Sequence, residues 1–433
     1  MKIIIVGGGI GGLAAYHALQ TYLPSNVSIK VYESYPTPAA ATSILGGGLG
    51  IVPNGLRALR AISPASALYL KSHGNTCPYF VLRNHNGTTL GCLGGLHDRV
   101  LLPRASVHEG LLLNVPDGVV QWGRRVVEVK ETEDAAHVVF EDGSVETCDL
   151  VIGADGIRSV CRQALFGPGS YQPQYDGMTG IGGFAPFSSL TPALQSGINS
   201  DQAVMTFSRN GFFGYALALP ITTPADEQQV MFWSTFATDA PPARTDDVHA
   251  LLVEKHGAWK SPYIRQIIDA ASGPTTTDPR FTKLLVLPRY EVPHLPHWTS
   301  LHGTALAPKT GSARIMLVGD AAHAAAPDSG QGASMALEDV QMLAMLLRHY
   351  SSDLPKVAKA YEDMRIPRVG RILRLGRRNG DGKREISWFR AAVRDLMLWI
   401  MCHLPLRVLL WLNPTHLYDV EAEVAKYLAT TNR

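Results

Sequence analysis

Residues 2 to 6, Lys-Ile-Ile-Ile-Val, run straight into Gly7-x-Gly9-x-x-Gly12. A continuous β-branched run is the pattern of a strand buried on both faces of a parallel sheet. A helical segment, Leu13 to Tyr22, follows, and a second strand, Val27 to Tyr32, ends at Glu33. Together these make a βαβ unit. A tight turn and a close backbone approach to a pyrophosphate both exclude a Cβ, which is why Gly7, Gly9 and Gly12 stand where they do. The helix start offers unpaired N–H groups and a partial positive charge. Glu33 is spaced to accept hydrogen bonds from a ribose diol. The motif predicts dinucleotide binding and leaves open which dinucleotide.

Composition narrows the class. A chain of 433 residues fits two interlocked domains, since domains usually hold roughly 100 to 200 residues. With 39 basic against 37 acidic side chains the formal charge is +2, which argues against a nucleic-acid partner. Cys77, Cys92, Cys148, Cys161 and Cys402 are scattered and form no Cys-x-x-Cys pair. No disulfide framework and no metal site are expected, and a reducing, cytoplasmic compartment is. The apolar start reads as a strand, not a signal peptide, so the sequons at Asn26 and Asn86 read as chance.

Two further segments repeat the strand, turn and helix pattern. Asp149 to Gly153 is a buried strand leading into Ala154-Asp155-Gly156-Ile157-Arg158-Ser159-Val160-Cys161-Arg162. Later, Arg314-Ile315-Met316-Leu317-Val318-Gly319-Asp320-Ala321-Ala322-His323 leads into Pro327-Asp328-Ser329-Gly330-Gln331-Gly332-Ala333, with Glu338 and Asp339 beyond. A strand ending near Asp320 presents a carboxylate to a polyol. Gly330, Gly332 and a helix start at Ala333 offer backbone N–H groups. His323, Asp328, Glu338 and Asp339 read as locally bonded or packing residues, with no metal role.

These motifs resemble those of the class A flavoprotein monooxygenases, the family of para-hydroxybenzoate and salicylate hydroxylases. Asp155-Gly156-x-x-Ser159-x-x-Arg162 resembles the family's Asp-Gly motif, and Gly319-Asp320 through Ala333 its Gly-Asp motif. The resemblance implies FAD as cofactor and NAD(P)H as co-substrate. It assigns Asp155, Asp320, Pro327, Gly330, Gly332 and Ala333 to the cofactor site. Arg104-x-x-x-His108 resembles the family's arginine that reaches the FAD phosphates, and Gly46-Gly47-Gly48-Leu49 its flavin-lining stretch, which adds Arg104, Gly47 and Gly48. One departure is the lack of any arginine between Glu33 and Asn54. The implied cycle is hydride transfer to FAD, reaction with O2 to a C4a-hydroperoxide and delivery of one oxygen atom to substrate.

The expected fold is α/β. A Rossmann-like FAD-binding domain (1–72, 104–165 and 301–375) is interleaved with a mainly antiparallel substrate domain (73–103 and 166–300), and a helical segment (376–433) follows. Alternating aromatic and β-branched runs at Ala203 to Phe207, Phe212 to Leu219 and Gln229 to Phe236 carry the antiparallel prediction. Tyr215 is the candidate catalytic residue, a hydroxyl to orient a phenol or move a proton. Arg209 is a candidate for an acidic group, with a turn role as its alternative.

Gly177 to Phe184 lacks the arginine that many phenol and carboxylate hydroxylases of the family carry there, which points to a bulkier, less polar substrate. The reading is a monooxygenase of fungal secondary-metabolite type that hydroxylates, dearomatises or epoxidises an aromatic, polyketide-like or isoprenoid metabolite. A reductase of the geranylgeranyl-reductase type is the alternative. Residues 388–412 are apolar but broken by Arg390, Arg394, Asp395, Pro405 and Arg407, whereas a spanning helix needs about 20 nearly uninterrupted apolar residues. Amphipathic helices packed on the flavin domain are expected, with peripheral membrane contact as the second reading.

Overall fold

In the computed structural model the strand Lys2–Val6 is the centre of a five-stranded parallel sheet. The order is Ile315–Leu317, Leu150–Gly153, Lys2–Val6, Ser28–Glu33, Val120–Trp122. Ile3, Ile4 and Ile5 are fully buried, as a strand covered on both faces must be. The structure describes residues 1–431 except 44–46, 242–246, 274–277, 279, 282–283, 307–310 and 352. All three strands that end in a glycine-bearing motif, Lys2–Val6, Leu150–Gly153 and Ile315–Leu317, are neighbours in parallel register. Their C-terminal ends therefore lie along one edge, where ligands of such sheets bind.

The second sheet has eight strands in the order Leu285–Glu291, Gln174–Pro186, Gln229–Ala237, Gly211–Leu217, Ala203–Ser208, Asn75–Asn84, Thr89–Pro103, Gly48–Ile51. Neighbours are antiparallel except Ala203–Ser208 with Asn75–Asn84, which run parallel. The mainly antiparallel expectation holds. Alternation divides this sheet into two faces. The back face carries Val204, Phe213, Tyr215, Phe232 and Phe236, buried with Leu252, Ile264, Ile267 and Ile268 of the helices Val248–His256 and Pro262–Ala271. Burying each such side chain contributes about 1.5–3 kcal/mol. The front face looks toward the parallel sheet.

The chain ends in helices. Leu354–Asp381 packs on Gly332–Tyr350, and Trp388–His403 lies over the strand Thr89–Pro103. The approach is close at Gly91, where an added Cβ would sit 2.4 Å from Cys402 Cβ. No described single helix is long and apolar enough to cross a membrane. Trp388–His403 and Leu406–Leu412 are bent by 119° at their junction, where Pro405 cannot continue the helix.

Candidate active site

Each glycine of the first motif has its own steric reason. Gly7 has φ +104°, and a Cβ there would lie 2.4 Å from the Ala154 carbonyl oxygen. At Gly12 a Cβ would lie 1.8 Å from the Gly7 carbonyl oxygen, so this residue lets the helix approach the strand and does not itself reach the cavity. Around Gly9 there is nothing within 4 Å of an added Cβ. That open space faces the start of the helix Ile10–Tyr22, which carries no side-chain cap, so its first N–H groups are free for an anion. Glu33 is buried and braces the loop. One oxygen accepts the Gly8 N–H at 2.7 Å and the other the Tyr35 N–H at 2.9 Å, leaving lone pairs for a diol. His108 Nε2, 2.9 Å from the Gly8 carbonyl, ties the same loop to the helix Arg104–Leu112.

The Gly-Asp segment is held from behind. Asp339, wholly buried, accepts the Gly319 N–H at 2.9 Å and His323 Nε2 at 2.7 Å on one oxygen, and Arg365 Nε at 2.8 Å on the other. His323 is thus bonded locally through Nε2, while its buried Nδ1 has no hydrogen-bond partner among the described residues. Glu338 receives Asn54 Nδ2 at 2.6 Å, Arg365 at 2.6 Å and Arg368 at 3.0 Å, pinning the helix that starts at Pro53. Burial by itself pushes the Asp339 carboxyl up, but the Arg365 and His323 partners hold it below its usual value. Arg162 donates to the Ala321 carbonyl at 3.0 Å and so bolts the Asp-Gly helix to the Gly-Asp turn.

Asp155 is bonded within its own turn. Its carboxylate accepts Ser159 Oγ at 2.6 Å and the Val160 and Cys161 N–H groups at 2.7 and 3.1 Å. It therefore satisfies the first N–H groups of the helix Val160–Phe166, whose N-cap is Ser159. Burial raises its carboxyl above the usual range. Asp155 thus braces its turn and also lines the cavity.

Gly7, Gly9, Glu33, Gly47, Gly48, Arg104, Asp155, Asp320, Pro327, Gly330, Gly332 and Ala333 all line one cavity of about 1660 Å³. Gly46 lies outside the described residues. Gly330 is left-handed with φ +62°, and no atom lies within 4 Å of an added Cβ at Gly330 or Gly332. The helix Gly332–Tyr350 begins there without a side-chain cap, a second open helix start. Burial lowers the Arg104 guanidinium from its usual value, opposed by the Asp320 charge. At Gly48 a Cβ would meet Met231 Sδ at 2.4 Å, so this glycine sets the spacing between loop and large sheet.

Beyond these loops the cavity continues onto the front face of the large sheet, over Leu82, Leu101, Met205, Phe207, Phe212, Met231 and Trp233, and under Phe389, Val393, Met397 and Met401 of the C-terminal helices. At one corner Arg289 bridges Asp176 and Asp328 at 2.6 Å each, and Lys383 joins Asp328 at 2.9 Å. The two candidate catalytic residues, Tyr215 and Arg209, fall outside this lining. Tyr215 lies three residues from Phe212 and so on the opposite face. Its hydroxyl accepts from Arg83 at 3.1 Å and its ring stacks on Tyr263, 5.9 Å between centroids. Arg209 is an exposed residue of the turn between Ala203–Ser208 and Gly211–Leu217, and its carbonyl accepts the Ile386 N–H at 2.8 Å. Neither lines the cavity. Trp233, Arg99 and Lys383, which do, were not singled out from the sequence. For Trp233, two-residue alternation with Met231 was the available signal.

Two open helix starts, the Arg104 cation, and carboxylates at Glu33 and Asp320 suit a dinucleotide with a pyrophosphate, a ribose and a polyol chain. Residues 286–375 match the family model described as an FAD binding domain. Salicylate hydroxylase of Pseudomonas putida is 28% identical over 400 residues, covering 88% of this chain and 85% of that protein. The FAD-dependent monooxygenase sor5 of Hypocrea jecorina is 28% identical over 413 residues, with 87% and 84% covered. The crystal structure of Klebsiella pneumoniae HpxO with FAD and uric acid superposes with a TM-score of 0.71 at 22% identity, covering 99% of this chain and 96% of that one. The cofactor of the glycine-lined cavity is FAD.

Proposed function

We propose that the chain is a class A FAD-dependent monooxygenase that uses NAD(P)H and O2 to hydroxylate, dearomatise or epoxidise a bulky aromatic, polyketide-like or isoprenoid metabolite. The observation that carries this reading is the continuity of one cavity from the glycine-lined cofactor loops onto an apolar, aromatic sheet face. When bound, FAD supplies the electron transfer and oxygen activation. The chain's own part is to hold and shelter. Backbone N–H groups at Gly9 and Gly332, with Arg104, bind the anionic part of the cofactor, and Glu33 and Asp320 bind its hydroxyls. Leu82, Leu101, Met205, Phe207, Met231 and Trp233 exclude water from the reacting face and orient the substrate.

NAD(P)H binds transiently in a groove, as the sequence holds no second Gly-x-Gly-x-x-Gly unit. The apolar outer surfaces of Trp388–His403 and Leu406–Leu412, which also roof the cavity, lie against a membrane surface and admit the apolar substrate. Anaerobic mixing of the purified holoenzyme with NADPH or NADH tests the reading. Bleaching of the flavin, accelerated by bulky phenols, supports it, and a flavin that neither nucleotide reduces contradicts it. Product formed from substrate without oxygen selects the reductase instead.

A further inference from the structure

The substrate half of the cavity is lined mainly by apolar side chains, and among the described residues it includes a buried cation, Arg99, that no acid compensates; Arg378 and Arg390, which also line the cavity, are exposed. Arg99, on the strand Thr89–Pro103, is only 8% exposed and lines the cavity. Its Nε has no hydrogen-bond partner. Among the described residues no acid pairs with it. This sets it apart from Arg289 and Lys383, which Asp176 and Asp328 together neutralise, and from Arg394, which pairs with Asp395. Its guanidinium lies 5.0 Å from the centre of the Phe80 ring, a contact that steadies its orientation and leaves its charge in place. One end sits beside Gly94, where an added Cβ would come within 3.2 Å of Arg99 Nη2. Gly94, Phe80 and Arg99 all face the cavity.

A buried cation without a counter-charge is costly unless something pairs with it. Burial indeed lowers the Arg99 guanidinium from its usual value, with only the Cys77 thiol opposing. A planar fork of donors is the side chain best matched to an oxyanion. We propose that Arg99 is a specificity-determining residue that takes an acidic oxygen, carboxylate or phenolate, carried by an otherwise apolar aromatic substrate. This deepens the monooxygenase reading. The strand Gln174–Pro186, which meets the cavity with Gly180 and Gly182, brings no cation, and Arg99 supplies one from the other side of the same sheet face.

The test uses flavin-loaded holoenzyme and two probes of equal shape, 1-hydroxy-2-naphthoate and the neutral 1-hydroxy-2-naphthamide, titrated by the change in flavin absorbance. The wild-type protein is expected to bind the acid roughly tenfold or more tightly than the amide, the ordinary worth of a charge-assisted pair. Arg99→Met abolishes that preference and Arg99→Lys keeps part of it. An unchanged acid-to-amide ratio in Arg99→Met overturns the proposal, and so does a raised KM for NAD(P)H with the ratio intact, which assigns the cation to the nucleotide. Melting temperature separates a structural role. Arg99→Met without ligand is expected to melt at or above the wild type, because an uncompensated charge has gone. A fall of several degrees, or failure to fold, identifies a structural cation and overturns the proposal. Flavin content and NAD(P)H oxidation in the same preparations report on the monooxygenase reading itself, so the two failures are distinct.

Discussion

Gly12 stands so close to Gly7 that a Cβ on it would lie 1.8 Å from the Gly7 carbonyl oxygen and 3.3 Å from Ile5 Cγ2. The obstacle is backbone, so the helix Ile10–Tyr22 must move away from the first strand to admit even a methyl. Overpacking of this kind costs about 1–3 kcal/mol. Because the displaced element carries the open helix start, the loss falls on the cofactor. Gly12→Ala is expected to lower FAD affinity by roughly tenfold or more, read from the ratio of flavin to protein absorbance after dialysis. Retention of wild-type flavin content contradicts this account of the loop.

Trp233 lies flat on Gly214, where a Cβ would come within 2.4 Å of its ring, and it lines the cavity. Aromatic side chains of this size carry much of the contact area in a binding site. Trp233→Ala is expected to raise the substrate KM about tenfold, near 1.4 kcal/mol, with flavin content unchanged. Loss of flavin together with substrate affinity would instead place Trp233 under the cofactor.

The back layer sets an acid limit. His256 is buried with its Nε2 2.6 Å from Ser234 Oγ, and burial, aided by Lys255, lowers its pKa to about 3. An unfolded histidine titrates near pH 6.5, so between about 6.5 and 3 the unfolded chain holds a proton that the folded one refuses. Stability from this group is full above about 6.5 and falls by about 1.4 kcal/mol for each pH unit below it. Urea unfolding of wild type and His256→Gln at pH 7 and 5 checks this. The wild type is expected to lose more stability than the variant on acidification, and equal losses contradict it.

Trp388, Leu396, Trp399 and Trp411 are exposed, Trp411 at 80%, on helices preceded by Arg371, Arg374, Arg377, Arg378 and Arg384. Apolar bulk beside basic charge suits an anionic lipid surface. Co-sedimentation with vesicles of phosphatidylserine and phosphatidylcholine is expected, weakened by salt and by Trp399→Ser with Trp411→Ser. Protein that stays in the supernatant at low salt contradicts the membrane contact.

Much of the cofactor side was legible because its constraints are local. A glycine is required wherever backbone meets backbone, as at Gly7 and Gly12, and a strand that ends in such a turn announces itself in a few residues. Arg162 and Arg365 needed the fold, since they act across 159 and 26 residues of chain. The substrate side was harder for a simple reason. In Gly211–Leu217 every residue is buried, so hydrophobicity does not say which face is which, and Tyr215 fell on the packed face while Phe212 took the cavity. Arg99 was missed because a cationic residue in a strand looks like solvent-facing polarity until the wall around it is seen.

The central claim is oxygen transfer at the joined cavity, and the most direct measurement is isotope incorporation from 18O2. Purified holoenzyme is supplied with NAD(P)H and a bulky phenolic acid whose binding has been shown by flavin absorbance. The account predicts one labelled oxygen atom in the product and consumption of nucleotide that rises with substrate. Product carrying no label, or formed equally well without oxygen, would contradict it.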